Sequence, residues 1–366
     1  MRRGLVALAA TTASMRFSTA ILQAATPLLL ASFGFGLTGV AALTVILWAA
    51  VTAGSLSAAL VREARLTSLL GLAAMASGLL LLYLSRGPSP LALVAVPLSG
   101  FGAGLASPSL APALHKMSSE GRPFEGVASY SLSLSIGLVA AMAYTSLASL
   151  RGLPLAFLGA SAVSAAVAVL LAASGVDFPS VRVDLPTASD ALKLFMNPSF
   201  LRAFTSNFSY SLVFPLVISY WALYATRVIG LKPDMAFAAI ASMFLISATI
   251  RGASVNVRDV AKAHRIAEAS LLLAVALLST RQELLVIAGL LLFAVPHSLV
   301  YPSTLYMALT SSEHQVKANY VYSISSGAGE VLSPVVAALV IRWAGLGPLY
   351  LAAMPFAVAS FISAFV

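Results

Sequence analysis

Three ionisable side chains lie inside long apolar stretches of the sequence, and they are Arg16, His297 and Glu330. If these stretches lie in a bilayer, a charge there costs at least about 2.5 to 3.5 kcal/mol and needs a partner or a wet cavity. The forked guanidinium of Arg16 is suited to hold a carboxylate or a phosphate. Glu330 can exchange protons, and His297 can relay protons or contact a bound solute.

Each of these residues also has a purely structural interpretation. Arg16 can extend its head group to the membrane surface or form a structural pair, and Glu330 can form an internal ion pair or hydrogen bond. His297 can be a buried histidine whose hydrogen bonds are satisfied. Glu330 is the only carboxylate that we expect deep inside an apolar stretch, whereas Arg251 is expected to be a charge at the boundary of one.

Amide and hydroxyl side chains extend this candidate set. Gln23, Asn207, Tyr210 and Tyr301 can supply hydrogen bonds to a bound solute. A cavity with one cation, one acid and several hydroxyl groups suits a small amphipathic or anionic solute better than a multiply charged cation. We therefore predict a substrate site formed by Arg16, Gln23, Asn207, Tyr210, His297 and Tyr301, and proton coupling at Glu330 and His297.

The composition places the chain in a membrane. Hydrophobic residues make up 60% of its 366 residues and charged residues only 9%, and the mean hydropathy is +0.97. A water-facing surface needs far more charge than this. Cysteine is absent, which excludes disulfides and thiolate chemistry. The net charge of +9 is explained by positive residues on cytoplasmic loops, so nucleic acid is not an expected partner.

The apolar segments have spanning length and fall into two sets of six. The predicted domains are an N-terminal six-helix bundle (1–174), a cytoplasmic linker (175–198) and a C-terminal six-helix bundle (199–366). The predicted spans are approximately 4–33, 37–61, 66–85, 91–114, 124–148, 153–174, 199–225, 235–255, 266–280, 284–309, 318–341 and 346–366. Lysine and arginine favour one side by about two to one, which predicts that both termini are cytoplasmic.

Short polar features fall between and at the ends of the spans. In the linker, Ser189 or Asp190 is expected to cap an amphipathic helix whose Leu192, Leu194 and Phe195 lie on the membrane surface. At the outer end of the seventh span, three aromatic residues are expected to form an interfacial belt, and they are Tyr220, Trp221 and Tyr224.

The second half resembles a diverged copy of the first. Pro108-Ser109 and Pro302-Ser303 are 194 residues apart, and so are Gly36-Leu37 and Gly230-Leu231. The pair Tyr130-Ser131 recurs as Tyr322-Ser323 at a separation of 192 residues. The shared offset is stronger evidence for a repeat than any single match. In this alignment Asn207 and Tyr210 correspond to Arg16 and Thr19.

This organisation resembles the major facilitator superfamily of secondary transporters. The stretch GFGAGLASPSLAP at 100–112, followed by His115-Lys116, is similar to the fourth helix of the superfamily, and residues 16–40 are similar to its first helix. The loop after the second span departs from the family signature, because Ala58 stands at its acidic position. The resemblance implies two six-helix bundles that rock around a central site lined by the first, fourth, seventh and tenth helices.

Prolines in these four helices are expected to allow bends, and glycines of the fourth to allow close helix packing. The prolines are Pro27, Pro97, Pro108, Pro112, Pro215, Pro296 and Pro302, and the glycines are Gly100, Gly102 and Gly104.

The sequence therefore predicts an all-α transporter of the cell membrane that crosses it several times. We expect a small-molecule substrate, membrane lipids and, if transport is coupled, protons as partners, with export favoured as the direction and a monomer as the state. There is no phosphate-binding loop and no metal-binding histidine motif, so neither an enzyme nor a cofactor is expected. A non-transporting sensor of the same fold and a lipid flippase remain alternatives.

Overall fold

The computed structural model describes residues 2–60, 63–106, 123–173, 187–254 and 259–365. All regular secondary structure in these ranges is helical. Eight of the described helical segments are long and apolar enough to cross a membrane, and two shorter apolar helices accompany them. The predicted multi-pass, all-α architecture is confirmed within these ranges.

The first half contributes six long helices. They are α1 (Arg2–Ser32), α2 (Leu37–Leu60), α3 (Ala64–Leu84), α4 (Pro90–Ala106), α5 (Pro123–Ser149) and α6 (Pro154–Ala173). These bounds agree with the first six predicted spans, except that the fourth span was expected to continue to Leu114. Its final residues, with Pro108, Pro112, His115 and Lys116, lie outside the described residues.

The second half begins with the short helix α7 (Ala188–Phe195). It continues through α8 (Pro198–Tyr224), α9 (Pro233–Ser254), α10 (Val260–Leu278), α11 (Glu283–Leu292), α12 (Ala294–Thr310), α13 (Gln315–Ala344) and α14 (Met354–Phe365). A π-helical turn, Ala225–Ile229, extends α8. The tenth predicted span is made of α11 and α12 in succession. The ninth was expected to begin at 266 but begins at Val260, and only Met354–Phe365 of the twelfth predicted span, 346–366, is α-helical, after a 3-10 turn at Leu351–Ala353.

The chain divides into two compact units. One comprises Met1–Val183 with Lys232–Ala241, and the other comprises Asp184–Leu231 with Ser242–Val366. The first turns of α9 therefore group with the first unit, where Ser146 Oγ donates to the carbonyl of Asp234 at 2.8 Å. The remainder of α9 groups with the second unit.

Glycine allows α4 to pack directly on its neighbours, as the sequence predicts. A Cβ atom added to Gly104 would overlap the carbonyl oxygen of Val51 on α2, and one added to Gly102 would overlap the backbone of Met75 on α3. In a bilayer, small residues permit the backbone contact that drives helix association. The expected prolines Pro27, Pro97, Pro215 and Pro302 lie inside α1, α4, α8 and α12.

Three local predictions are wrong. Thr187, rather than Ser189 or Asp190, caps α7, and Asp190 completes the capping box by accepting from the Thr187 N–H at 3.0 Å. Leu194 is buried in a cluster with Phe200 and Tyr322, and Phe195 packs against it, so only Leu192 remains exposed. The three belt aromatics, Tyr220, Trp221 and Tyr224, are fully buried.

Candidate functional site

Two of the predicted site residues, Tyr210 of α8 and His297 of α12, contact each other. The Tyr210 hydroxyl lies 2.7 Å from Nδ1 of His297. On the other side of the ring, a terminal nitrogen of Arg251 lies 3.3 Å from Nε2 of His297 and donates to the His297 carbonyl at 2.9 Å. Tyr210 and His297 are 6% and 7% exposed. These three residues, Tyr210, Arg251 and His297, are called the histidine cluster below.

The geometry of the histidine cluster indicates its protonation state. A guanidinium can only donate hydrogen bonds, so its contact with Nε2 requires a lone pair on that nitrogen. His297 is then neutral with its proton on Nδ1, from which it donates to the Tyr210 oxygen. A second proton on Nε2 would place two donors against each other and break the contact with Arg251.

Aromatic rings enclose the imidazole of His297. The ring of Phe214 stacks on it at a centroid distance of 4.9 Å and an interplanar angle of 5°. Phe244 contacts it edge-on at 5.3 Å. Phe293 stacks on both Tyr210 and Phe214. The histidine cluster thus lies in apolar surroundings, where an electrostatic contact is stronger than in water.

Hydrogen bonds between α9 and α12 fix the relative position of Arg251 and His297. Ser298 Oγ lies 3.0 Å from the carbonyl of Ser247 and 2.9 Å from its hydroxyl. Ser298 follows His297 directly, and Ser247 lies one turn before Arg251 on the same helix. The serine pair therefore holds the two helices together next to the histidine cluster.

Asn207 lies one turn before Tyr210 on α8 and joins that helix to α13. Its side-chain nitrogen donates to Ser325 Oγ and to Ser326 Oγ, at 2.7 Å each. Asn207 is 1% exposed, and among the described residues its Oδ1 has no hydrogen-bond partner. A buried amide oxygen without a partner is uncommon in proteins, so Asn207 offers an acceptor to a solute or a water molecule.

Gly329 brings the backbones of α8 and α13 together beside this position. A Cβ atom added to it would lie 2.7 Å from the carbonyl oxygen of Phe208. Glu330 is therefore held close to α8 by its neighbour, and it is partly exposed. Tyr301 is 49% exposed, and its ring lies 6.1 Å from that of Tyr322.

Arg16 and Gln23 belong to the other unit. Both lie on α1, where Arg16 is partly exposed and Gln23 is 4% exposed. Gly137 of α5 packs against this helix so closely that an added Cβ atom would lie 3.0 Å from the Arg16 Cβ. Arg16 is thus on a tightly packed face of α1.

Two expectations about charged residues are wrong. Arg251, expected at a membrane boundary, is partly buried and contacts His297. Glu330 is not the only carboxylate deep in a span, because Glu268 lies in the middle of α10 and is 0% exposed. A histidine and a glutamate four residues apart in this helix, His264 and Glu268, are the sequence signal that would have revealed the second group.

No model of a known protein family matches the sequence, and no curated protein matches it significantly. Solved structures do match the fold. The POT family transporter PepTSo gives a TM-score of 0.79 at 12% identity, over 100% of this chain and 97% of that one.

Two further structures cover most of both chains. A POT family transporter solved in complex with 5-aminolevulinic acid gives a TM-score of 0.76 at 12% identity, over 99% of this chain and 95% of that one. The human organic anion transporter MFSD10 (TETRAN) gives 0.67 at 16% identity, over 100% and 98%. The chain therefore shares the fold of these solved transporters, as the resemblance in its sequence implied.

Proposed function

We propose that this chain is a secondary active transporter that moves a small amphipathic or anionic solute across the cell membrane by alternating access. The observation that carries the proposal is the histidine cluster, in which a buried histidine contacts both an arginine and a tyrosine inside an aromatic enclosure. Arginine with aromatic walls suits a ligand that carries both an anionic group and an apolar part. The fold, shared with transporters over nearly the whole chain, supports movement rather than binding alone.

The residues proposed to bind the solute are Arg16 and Gln23 on α1, and Asn207, Tyr210, His297 and Tyr301 in the second half. The structural neighbours include a transporter in complex with 5-aminolevulinic acid and an organic anion transporter. Both kinds of solute are compatible with a site that combines a guanidinium with amide and hydroxyl groups.

Proton coupling is assigned to His297 and Glu330. Protonation of His297 at Nε2 replaces an acceptor by a donor, so proton binding and the contact with Arg251 exclude each other. Glu330 follows Gly329, whose backbone packs directly on α8, the helix that carries Tyr210. Each proton taken up or released can thus change the surroundings of the solute.

The topology and direction follow from the sequence. The bias of lysine and arginine towards one side supports cytoplasmic termini. The resemblance to small members of the superfamily without sugar motifs supports export. The transport cycle is carried by the two predicted six-helix bundles, 1–174 and 199–366, which alternate the access of the site between the two sides.

A thermal-shift screen tests the solute class. The purified protein is melted with 5-aminolevulinic acid, dipeptides, organic anions, organic cations and phospholipids, at about pH 5 and about pH 7.5. A ligand that binds only the folded state raises the melting temperature by mass action. The proposal expects shifts by amphipathic or anionic solutes that differ between the two pH values. Shifts by phospholipids alone would contradict it and favour the lipid flippase.

A further inference from the structure

A second buried polar cluster lies in the C-terminal half, outside the set that the sequence predicts. It is formed around Glu268 and His264 on α10, which are 0% and 2% exposed. Ser206 of α8 donates a hydrogen bond to Oε1 of Glu268. The hydroxyl of Ser360 on α14 lies 3.4 Å from that of Ser206. We call Glu268, His264, Ser206 and Ser360 the glutamate cluster.

The glutamate cluster contains two polar atoms without a hydrogen-bond partner. Among the described residues, neither Oε2 of Glu268 nor Nε2 of His264 has one. The other ring nitrogen of His264, Nδ1, lies 3.3 Å from the hydroxyl oxygen of Ser303 on α12 and 4.0 Å from Oε1 of Glu268. Buried polar atoms are nearly always satisfied in proteins, so these two atoms point to something that binds there.

The surroundings favour a proton over a metal ion. The described residues include no group of three or more histidine, aspartate or glutamate side chains that could hold a metal. An ionised carboxylate buried without a cation costs so much that such a group takes up a proton instead. A proton from solvent on Oε2 makes Glu268 neutral and turns the unpartnered acceptor into an O–H donor.

The charged groups that face the glutamate cluster are few. Arg202 of α8 and Arg265 of α10 are the cations that act on His264. The Arg265 guanidinium lies over the ring of Phe365 on α14, 5.9 Å from its centroid. Ser303 is the residue of α12 that contacts the cluster. The helix α11 packs on α10 through Gly289, which lies against Ala274 and Leu277. The two arginines disfavour a positive charge on His264, and among the described residues no arginine or lysine pairs with Glu268, so the proton is assigned to Glu268.

The position of the pair along α10 provides a route for that proton. Glu268 is nine residues beyond the N-cap Asp259, roughly 14 Å along the helix. His264 lies one turn nearer to that end and 4.0 Å from the carboxylate. His264 is placed to assist proton exchange at Glu268 from the N-terminal end of α10 through a bridging water, because 4.0 Å is beyond hydrogen-bond reach.

We infer that Glu268, assisted by His264, is a proton-binding site of the C-terminal half that is separate from His297 and Glu330. Because Ser206 and Asn207 are adjacent on α8, protonation of Glu268 acts on the helix that carries Asn207 and Tyr210. This inference deepens the proposed function and rests on it, since it assigns a further group through which protons are coupled to solute movement.

Infrared difference spectroscopy of the protein in liposomes tests the inference without any solute. Between acidic and neutral buffer, the wild-type protein is expected to show the carbonyl stretch of a protonated carboxyl group that titrates. Glu268→Gln should lose one such component, and Glu330→Gln should retain it. His264→Gln should keep the component and change the pH or the rate at which it titrates. An unchanged spectrum in Glu268→Gln would overturn the inference.

Two additional measurements keep the test decisive. If Glu268→Gln does not fold, Ser206→Ala removes the hydrogen bond to Oε1 and is expected to shift the titration of the same component. If it does not shift, the inference is wrong. A rise in melting temperature with sodium at constant pH, without a titrating carboxyl component, would identify a cation site and overturn the assignment to a proton. All these readouts are independent of solute flux, so their failure is distinguishable from failure of the proposed function.

Discussion

The guanidinium of Arg251 donates to the backbone carbonyl of His297 at 2.9 Å and approaches Nε2 of the same residue at 3.3 Å. The two residues are 46 positions apart in the chain and lie on α9 and α12. One arginine thus restrains both the backbone and the ring of the histidine. Since a guanidinium never accepts a hydrogen bond, the protonation of His297 and the position of Arg251 are coupled.

Replacing Arg251 should weaken binding of an anionic solute. A hydrogen bond to a charged group contributes about 1.5–3 kcal/mol, so Arg251→Ala is expected to reduce affinity roughly tenfold to a hundredfold. The measurement is isothermal titration with a solute identified by the thermal-shift screen. Arg151→Ala is the matched control, because Arg151 is exposed in the loop between α5 and α6. Equal losses in the two variants would exclude a specific role for Arg251.

Replacing His297 should remove a pH dependence of binding. His297→Gln keeps a polar side chain but does not titrate between about pH 5 and pH 8, where histidine normally changes its charge. We expect the ratio of affinities at the two pH values to approach unity in this variant, measured by the same titration. His314→Gln, which changes an exposed histidine next to α13, should leave the pH dependence as it is. If His297→Gln also preserves it, the proton acts elsewhere.

A side chain at position 329 should separate α13 from α8. The added Cβ atom of Gly329→Ala would lie 2.7 Å from the carbonyl oxygen of Phe208 and 2.8 Å from the Cβ of Ser211. Overpacking of this kind costs about 1–3 kcal/mol, so the melting temperature in detergent should fall. Gly327→Ala is the control on the same helix, because nothing lies within 4 Å of the Cβ it adds. A fall of the same size in both variants would show that the loss does not come from packing against α8.

The ion pair between α7 and α13 should resist acid. The carboxylate of Asp190 lies 2.8 Å from Nζ of Lys317, and this contact, with the hydrogen bonds from Thr187, holds the pKa of Asp190 well below its ordinary value of 3.8. A lowered pKa contributes stability above 3.8 that is lost only as the pH falls towards the lower folded-state value. Pepsin should therefore cleave within α7 of the wild-type protein only at pH values well below 3.8.

Lys317→Met provides the comparison for this ion pair. Without the lysine, the pKa of Asp190 returns towards its ordinary value, so α7 should become susceptible to pepsin at a higher pH than in the wild-type protein. An identical pH profile of cleavage in both proteins would show that the ion pair does not hold α7 in place.

Much of the fold could be predicted from hydropathy alone. A bilayer allows only structures that satisfy their backbone hydrogen bonds internally, and apolar segments of spanning length leave few alternatives to a helix. The cap of α7 was also readable, because Thr187 and Asp190 have the spacing of a capping box. Ser189 and Asp190 do not cap the helix because both lie inside it, whereas Thr187 directly precedes its first residue, Ala188.

The candidate site could be predicted only in part. Tyr210 and His297 were identified because they are polar residues in apolar segments, and the structure brings them together. Arg251 lies near the end of α9, where a charge is common, and Glu268 lies near the start of its predicted span, 266–280, so local sequence assigns neither residue to a site. Their roles depend on which neighbouring helix each side chain contacts. These contacts are set by packing between segments rather than by local sequence. Tyr220, Trp221 and Tyr224 were misassigned for the same reason, since they face protein instead of lipid.

Solute flux in proteoliposomes tests the central claim most directly. The purified chain is reconstituted, a pH gradient is applied, and movement of labelled 5-aminolevulinic acid or of the solute found by thermal shift is followed. The account predicts flux that requires the protein and responds to the pH gradient. In Arg251→Ala the flux should fall at least as strongly as the affinity for the solute falls. Arg151→Ala should behave like the wild type. Saturable binding without any flux would contradict the account and identify the protein as a sensor with a transporter fold.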